Sequence, residues 1–280
     1  MRERLSLITF GRALPIVSAL LIVACGPSPP EAPAAPVVQF ANLTGDPVSH
    51  GQRLSQVLGC SGCHGADLTG QDWSDDMGVL WTSNLTRSAH SLTDAQLKGA
   101  IKDGVRPGRD LWVMPSHLFT QLSEADTAAI IAYLKSHPPA GDVHPEPTFT
   151  DGLRRAIAED KIRSSRTDVT RLGQAWPPDA GPQHAFARYA VRATCAECHS
   201  MNLTGEQPPF GGKPRPDLNV AAAYSLEDFR TLMRTGTAVG GRRLELMSEV
   251  ARGRYSNFTD DEVAAIHAYL VARAAATSPQ

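Results

Sequence analysis

Apolar residues recur at helical spacing in several stretches of the chain, and no convincing run alternates apolar and polar residues as a strand would. One apolar stripe runs through residues 130–134 and another through 263–270. Short helical runs over 49–58 and 183–193 stand earlier in the chain. The pattern predicts an all-α protein with two similar sets of helices.

Polar residues and glycines mark the ends of these predicted helices. Four hydroxyl residues precede acidic turns and are predicted N-caps: Ser91, Ser123, Ser225 and Thr259. Gly104 and Gly236 are predicted to stop two of the helices, because glycine readily adopts the left-handed conformation that follows a helix. Proline is frequent at both ends of residues 138–180, which we interpret as a linker that partly packs on a domain and holds one helix over 151–163.

An internal repeat organises the chain. The segment Cys60-Ser61-Gly62-Cys63-His64 recurs 135 positions later as Cys195-Ala196-Glu197-Cys198-His199, and Leu-Thr-Gly follows both copies at the same offset. A Tyr-Leu pair in each terminal stripe keeps an offset of 136. The repeat predicts a duplicated unit of about 90 residues, with one copy over 46–137 and the other over 181–276.

The N-terminus predicts export. Arginines precede a short apolar run that ends at Ala24, and this run is well below the roughly 20 residues that span a bilayer. Residues 1–24 are therefore a predicted signal peptide. The segment Ile22-Val23-Ala24-Cys25 resembles the bacterial lipoprotein cleavage box, which implies a lipid on Cys25; an ordinary secretory signal is the alternative. Residues 25–45, rich in Pro and Ala, predict a tether.

Composition narrows the function classes. Lysine and arginine number 27 against 29 aspartate and glutamate, so the basic excess of a dedicated nucleic-acid binder is absent and no nucleic-acid partner is expected. Five cysteines divide into one plus two pairs, which argues against a pure disulfide framework.

The two Cys-x-x-Cys-His segments carry the candidate chemistry. This pattern is typical of covalent haem attachment, in which Cys60, Cys63, Cys195 and Cys198 form thioethers while His64 and His199 each take one axial position on iron. A zinc site from the four thiols would leave both histidines unexplained. A thioredoxin-type cysteine pair would need a βαβ context that the sequence lacks. Two covalent haem c groups are therefore predicted.

A methionine in each unit is the predicted second axial ligand. Met114 and Met247 follow their histidines by 50 and 48 residues, in matching places of the repeat, and Pro115 favours an extended Met114. Met201 lies too near its histidine, and Met233 falls inside a helical run. His90 and His117 remain alternative ligands in the first unit.

At this point the sequence resembles the class I c-type cytochromes in tandem, similar to dihaem lipoproteins and cytochrome subunits that serve periplasmic dehydrogenases. The Cys-x-x-Cys-His and Leu-Thr-Gly segments, the methionine and the Ala-x-Tyr-Leu helix carry this resemblance over 46–137 and 183–275. Many family members have a Gly-Pro after the haem histidine that orients the imidazole; the first unit has no such proline, which leaves the partner of His64 unidentified.

The resemblance implies two class I cytochrome domains joined by the Pro-rich linker, and an electron carrier rather than an enzyme. Its partners would be a redox donor and acceptor, such as a dehydrogenase, another cytochrome or an oxidase, on the periplasmic side of a bacterial membrane. A haem-based sensor and a dihaem enzyme such as a peroxidase are the competing functions. A peroxidase needs one iron that is open or can lose its ligand.

Overall fold

The computed structural model describes residues 38–208 and 212–277. The predicted signal peptide, Cys25 with its predicted lipid, and the tether up to residue 37 lie outside the described residues. No helix in these ranges has the length and apolar character needed to cross a membrane.

The first unit is a set of short helices with a small hairpin. In chain order its elements are α1 (Pro47–Val57), α2 (Cys60–His64), β1 (Gly78–Val79), α3 (Leu85–Ser91), α4 (Asp94–Lys98), a π-helical turn (Gly99–Asp103), β2 (Val105–Arg106), β3 (Arg109–Asp110), α5 (Ser116–Phe119) and α6 (Glu124–Ser136). Helix α1 packs along α6, and Gly51 permits this close approach because a Cβ there would overlap the carbonyl of Ala129. The cysteine motif α2 follows directly from α1.

The segment after α6 wraps around the first unit. It holds β4 (Thr148–Phe149), α7 (Asp151–Ala158) and α8 (Ser165–Leu172). Strand β4 pairs antiparallel with β1, and Ser165 N donates to Leu111 O at 2.9 Å. The predicted single helix over 151–163 is wrong: α7 ends before Asp160, whose φ of +61° is incompatible with a helix, and Ser164 caps a separate α8.

The second unit repeats the order of the first. Its elements are a 3₁₀ turn (Pro182–His184), α9 (Ala185–Ala193), α10 (Ala196–His199), a longer 3₁₀ segment (Leu218–Ala223), α11 (Leu226–Thr235), β5 (Thr237–Ala238), a 3₁₀ turn (Val239–Gly241), β6 (Arg242–Arg243), α12 (Leu246–Gly253), a 3₁₀ turn (Tyr255–Asn257) and α13 (Asp260–Thr277). Helix dominates both units, and each described strand has two residues.

Three of the four predicted N-caps are confirmed. The hydroxyls of Ser123, Ser225 and Thr259 each accept the backbone N–H three residues later, at 3.0–3.1 Å. Ser91 is wrong as a cap, because it is the last residue of α3. Thr93 caps α4 instead, in a reciprocal capping box with Gln96 that starts the helix two residues later.

Gly104 and Gly236 have φ of +64° and +72° and end their helices as predicted.

The two units pack through equivalent faces. Tyr189 on α9 donates to Asp126 on α6 at 2.6 Å, and Arg53 on α1 donates to Glu262 on α13 at 2.8 Å. Arg53 and Tyr189 are 136 positions apart, as are Asp126 and Glu262, so each contact is the repeat-related counterpart of the other. The interface is therefore approximately two-fold symmetric, as in a dimer whose subunits use the same patch.

Phe40, in the segment that the sequence assigns to the tether, is fully buried at this junction. Its ring contacts the rings of Phe186, Tyr189 and Phe258, with centroids 5.5–6.4 Å apart. One cluster of buried apolar side chains continues from the first unit into the second. The described residues thus share one core, which holds both cysteine motifs in place.

Candidate functional site

A large open cavity in the first unit collects the predicted site residues. Cys60, Cys63, His64 and Met114 all line it. Most of its other walls are aliphatic or aromatic, among them Trp73, Trp81, Trp112, Leu97, Ile101 and Ile130. Such an apolar lining with a few polar groups suits a large apolar group.

The four thiols of the two motifs are half-buried and free of disulfides. Burial raises the pKa of Cys60, Cys195 and Cys198, and it raises the pKa of Cys63 to about 11. A redox-active cysteine pair needs a lowered thiol pKa, so this environment does not favour a thioredoxin-like site. Among the described residues, no three His, Cys, Asp or Glu side chains form a group that could hold a metal ion.

Both motif histidines have a fixed tautomer. His64 Nδ1 lies 2.8 Å from Ser83 O, and His199 Nδ1 lies 2.8 Å from Pro216 O. A carbonyl oxygen can only accept, so Nδ1 carries the proton and Nε2 has a free lone pair in the neutral ring. Burial lowers the pKa of both imidazoles and thus favours that neutral form. Each ring is ready to bind a metal through Nε2.

Ser83 O is the orienting group that the sequence left unidentified for His64, and Pro216 O is its counterpart for His199. Ser83 and Pro216 follow their histidines by 19 and 17 residues, so the second loop is two residues shorter. The same shortening changes the repeat offset from 135 at the motifs to 133 at these carbonyls. A backbone bond from Leu85 N to Leu68 O recurs from Leu218 N to Leu203 O, which confirms that the loops are equivalent.

Met114 lies where the prediction requires it, outside a helix and on the cavity wall. It stands between β3 and α5, and Val113 before it has a φ of +66°. A valine with positive φ is strained, and this backbone conformation turns the chain sharply just before Met114. Ser116, two residues later, is fully buried and donates to Ala100 O at 2.9 Å, which fixes the segment.

Met247 differs from Met114 in its local register. Glu245 has the positive φ that Val113 has, and buried Ser248 bonds to Gly236 O as Ser116 bonds to Ala100 O. When the two units are aligned on the residue of positive φ or on the buried serine, Leu246 corresponds to Met114. Met247 follows one residue later, in the first turn of α12. Leu246 is 54% exposed, whereas Met247 is partly buried against the core. Ligation by either methionine stays a prediction.

Neither His90 nor His117, the alternative ligands of the first unit, lines the cavity. His90 Nε2 lies 2.7 Å from His137 O, and Met233 is buried in α11. The Nδ1 atom of His117 is buried and has no hydrogen-bond partner. Met201 packs against the core of the second unit.

Three residues that the sequence analysis missed complete the first cavity. Arg106 Nη1 and Arg109 Nη2 both donate to Ser83 Oγ, at 3.0 and 2.9 Å, and both arginines line the cavity. Burial, with the neighbouring charge of Arg109, lowers the pKa of Arg106, and Arg109 Nε is buried without an acceptor. Arg109 Nη1 also lies 4.0 Å from Glu146 Oε2, which leaves Arg109 Nε and the charge of Arg106 for an anionic group. Their only sequence signal is the Arg-x-x-Arg spacing of a short hairpin.

Together, these residues fit a covalently attached haem. The thiol pair can form thioethers, an imidazole with a free Nε2 and a methionine sulfur are groups that can ligate iron, and the apolar walls match a porphyrin. The unpaired Nε of Arg109 and the charge of Arg106 suit its carboxylates. The second unit repeats the thiol pair and the pinned imidazole.

Comparison with known protein families agrees with this geometry. The family model described as Cytochrome c matches the chain twice, at residues 48–138 and 185–273, which together exceed half of the chain. Each matched segment contains one of the two cysteine motifs. A search of the curated proteins finds no match.

Proposed function

Because the chain belongs to the cytochrome c family and carries two such domains in tandem, we propose that it is a membrane-tethered dihaem electron carrier. Family membership makes it a haem c electron-transfer protein. The proposal adds one His/Met-ligated haem in each unit, a lipid tether on Cys25, and redox proteins as donor and acceptor. The observation that carries it is the meeting of His64 and Met114 on one apolar cavity beside the thiols of Cys60 and Cys63.

The residues of each unit have separate tasks in this proposal. Haem c, when bound, supplies an iron that alternates between the ferric and ferrous states by one electron. The cysteines hold the group covalently, and Ser83 O and Pro216 O keep Nε2 of His64 and His199 unprotonated. The apolar walls exclude water, which limits reorganisation when the charge changes.

Methionine ligation favours a carrier over an enzyme. A thioether stabilises the ferrous state better than a second imidazole would, and it fills the position where oxygen or peroxide would bind. Met114 on the cavity wall supports this role in the first unit. Met247, partly buried beside the core of the second unit, is its proposed counterpart despite the shift of one residue.

The N-terminus and the charge distribution support the proposed tether and partners. A lipid on Cys25 would hold the body at the periplasmic face of a membrane, where a dehydrogenase, another cytochrome or an oxidase could dock. The first unit, over 46–137, has 7 basic and 10 acidic residues, whereas 181–276 has 11 basic and 10 acidic. Opposite charge could direct different partners to the two units.

The test is haem content and ligand access in the full chain, expressed with its export signal and a haem-attachment system. We expect two covalent haems in the wild type. One haem should remain in Cys60→Ala/Cys63→Ala and one in the matched variant Cys195→Ala/Cys198→Ala. Oxidised and reduced spectra should show low-spin iron that carbon monoxide does not change.

Two outcomes would contradict the proposal. A wild-type chain with fewer than two haems would refute the dihaem assignment. Carbon monoxide binding together with peroxide reduction at one haem would identify an open iron and favour the peroxidase alternative. The two cysteine variants would then show which unit holds the open site.

A further inference from the structure

One arginine connects the two cysteine motifs. Arg254, at the end of α12, donates through Nη2 to Leu58 O at 2.8 Å and through Nε to Val57 O at 3.3 Å. The same guanidinium donates through Nη1 to Glu197 Oε2 at 2.7 Å. Leu58 lies two residues before Cys60, and Glu197 lies between Cys195 and Cys198. A side chain of the second unit thus binds the entry to the first motif and the interior of the second.

The backbone at the first motif is shaped for this contact. Gly59 has a φ of +83°, and a Cβ there would lie 2.6 Å from the guanidinium carbon of Arg254. Only glycine lets the chain pass so close while it turns into α2. From the other side, Glu197 reaches far enough to line the cavity of the first unit. The two motifs therefore meet edge to edge around one ion pair.

The chemistry of this contact requires arginine. The guanidinium has donors pointing in several fixed directions, and here they serve two carbonyls of one unit and a carboxylate of the other. The side chains of Arg254 and Glu197 are 16% and 30% exposed, so water screens the pair less than it would at the surface. A lysine would keep the charge but could not hold all three acceptors in this geometry.

We propose that Arg254 is the positioning residue for electron exchange between the two units. It clamps the backbone at 57–58 to Glu197 and so keeps the two attachment motifs in direct apposition. The exchange moves one electron from a ferrous to a ferric haem, with no bond made or broken and no proton transferred. The inference rests on the proposed function, because it requires a haem at each motif.

Arg53 supplies a matched comparison. It also joins the two units, through Glu262 at 2.8 Å and Asn257 O at 3.3 Å, and its side chain is 13% exposed. It touches neither cysteine motif in any of these contacts. Arg53→Met therefore removes an interface ion pair of similar burial and leaves the bridge at Arg254 in place.

The experiment measures exchange in half-reduced holoprotein by NMR, as the rate at which haem methyl signals of the two units exchange oxidation state. Rates that do not depend on concentration report intramolecular transfer. We expect Arg254→Met to lose the fast exchange, Arg254→Lys to recover part of it, and Arg53→Met to keep the wild-type rate. Equilibrium potentials supply a second readout: Arg254→Met should lower both potentials and Glu197→Gln should raise both, because a nearby cation favours the ferrous state.

Several results would overturn this role. An Arg254→Met protein with two haems and the wild-type exchange rate would do so, and so would an Arg53→Met protein that slows equally. If Arg254→Met does not fold, Arg254→Lys and Glu197→Gln decide, and wild-type rates in both would refute the role. Two haems without exchange in the wild type would refute the inference alone, whereas fewer than two haems would refute the proposed function as well.

Discussion

Asp126 is the buried acceptor on which three segments of the protein converge, and its removal should be costly. The carboxylate is fully buried near the start of α6. It accepts from His50 Nε2 at 3.0 Å, from Phe40 N at 3.1 Å and from the Tyr189 hydroxyl at 2.6 Å. Burial and the neighbouring carboxylate raise the pKa of Tyr189, so its hydroxyl stays a donor at all ordinary pH values.

In Asp126→Ala all three donors lose this acceptor. A buried donor without a partner costs about 1–3 kcal/mol, so the three together predict a loss of about 3–6 kcal/mol, allowing for partial relaxation. A domain is stable by only about 5–15 kcal/mol, so the variant should be close to unfolding. Asp126→Asn keeps one acceptor oxygen and should lose about half as much.

Equilibrium denaturation of the holoprotein in urea, followed by circular dichroism, measures these losses. Asp76→Ala is the control, because Asp76 is exposed and its loss should change the free energy of unfolding by less than about 0.5 kcal/mol. Tyr189 belongs to the second unit, whereas His50 and Phe40 precede the first motif, so the variant should also separate the unfolding of the two units. A loss below about 1 kcal/mol for Asp126→Ala would refute the reasoning.

Three further predictions concern single residues. Met114→Ala should let carbon monoxide bind one ferrous haem and should lower one reduction potential, and Met247→Ala should do the same at the other haem; unchanged spectra would exclude that methionine as a ligand. Burial lowers the pKa of His117 in the folded protein, so as the pH falls the unfolded chain binds a proton at this residue before the folded chain does. The free energy of unfolding should therefore fall as the pH drops below about 6.5, by about 1.4 kcal/mol for each unit by which the folded and unfolded pKa values differ. His117→Gln should lose less stability than the wild type between pH 7 and pH 5, as measured by denaturation at both pH values. An equal loss in the two proteins would contradict the reasoning. Cys25→Ser should move the protein from the membrane fraction to the soluble periplasmic fraction, and its retention in the membrane would contradict lipid attachment at this cysteine.

The parts of the fold that the sequence predicted depend on local patterns. The helical class, Ser123 and Thr259 as caps, and Gly104 as a stop all follow from residues within one or two turns of each other. The duplicated unit follows from the recurrence of such local patterns about 135 positions later. The Cys-x-x-Cys-His segments are equally local, and both fall within the matched cytochrome c domains. Such patterns can be predicted from the sequence because the groups that interact are also close in sequence.

The parts that the sequence missed depend on contacts between distant residues. Ser83 O orients His64 from 19 positions away. Every residue has a backbone carbonyl group, so the sequence does not indicate which one accepts from the histidine. Arg254 and Leu58 are 196 positions apart, and nothing in either segment indicates the other. The break between α7 and α8 was missed for a different reason: Asp160 takes a left-handed conformation that its residue type permits but does not require.

Synthesis of the chain reaches Pro147 and β4 only after all of residues 46–137 have been made. Pro147 lines the first cavity, and β4 pairs with β1 beside it, so the cavity lacks this wall while the nascent chain is still short. At about 5–20 residues per second, residues 138–149 take about 0.6–2.4 s to be added. We expect the thiols of Cys60 and Cys63 to be easiest to reach in that interval. A fragment that ends at residue 137 would lack this side of the cavity permanently. The linker is therefore a structural part of the first unit, although it is synthesised after it.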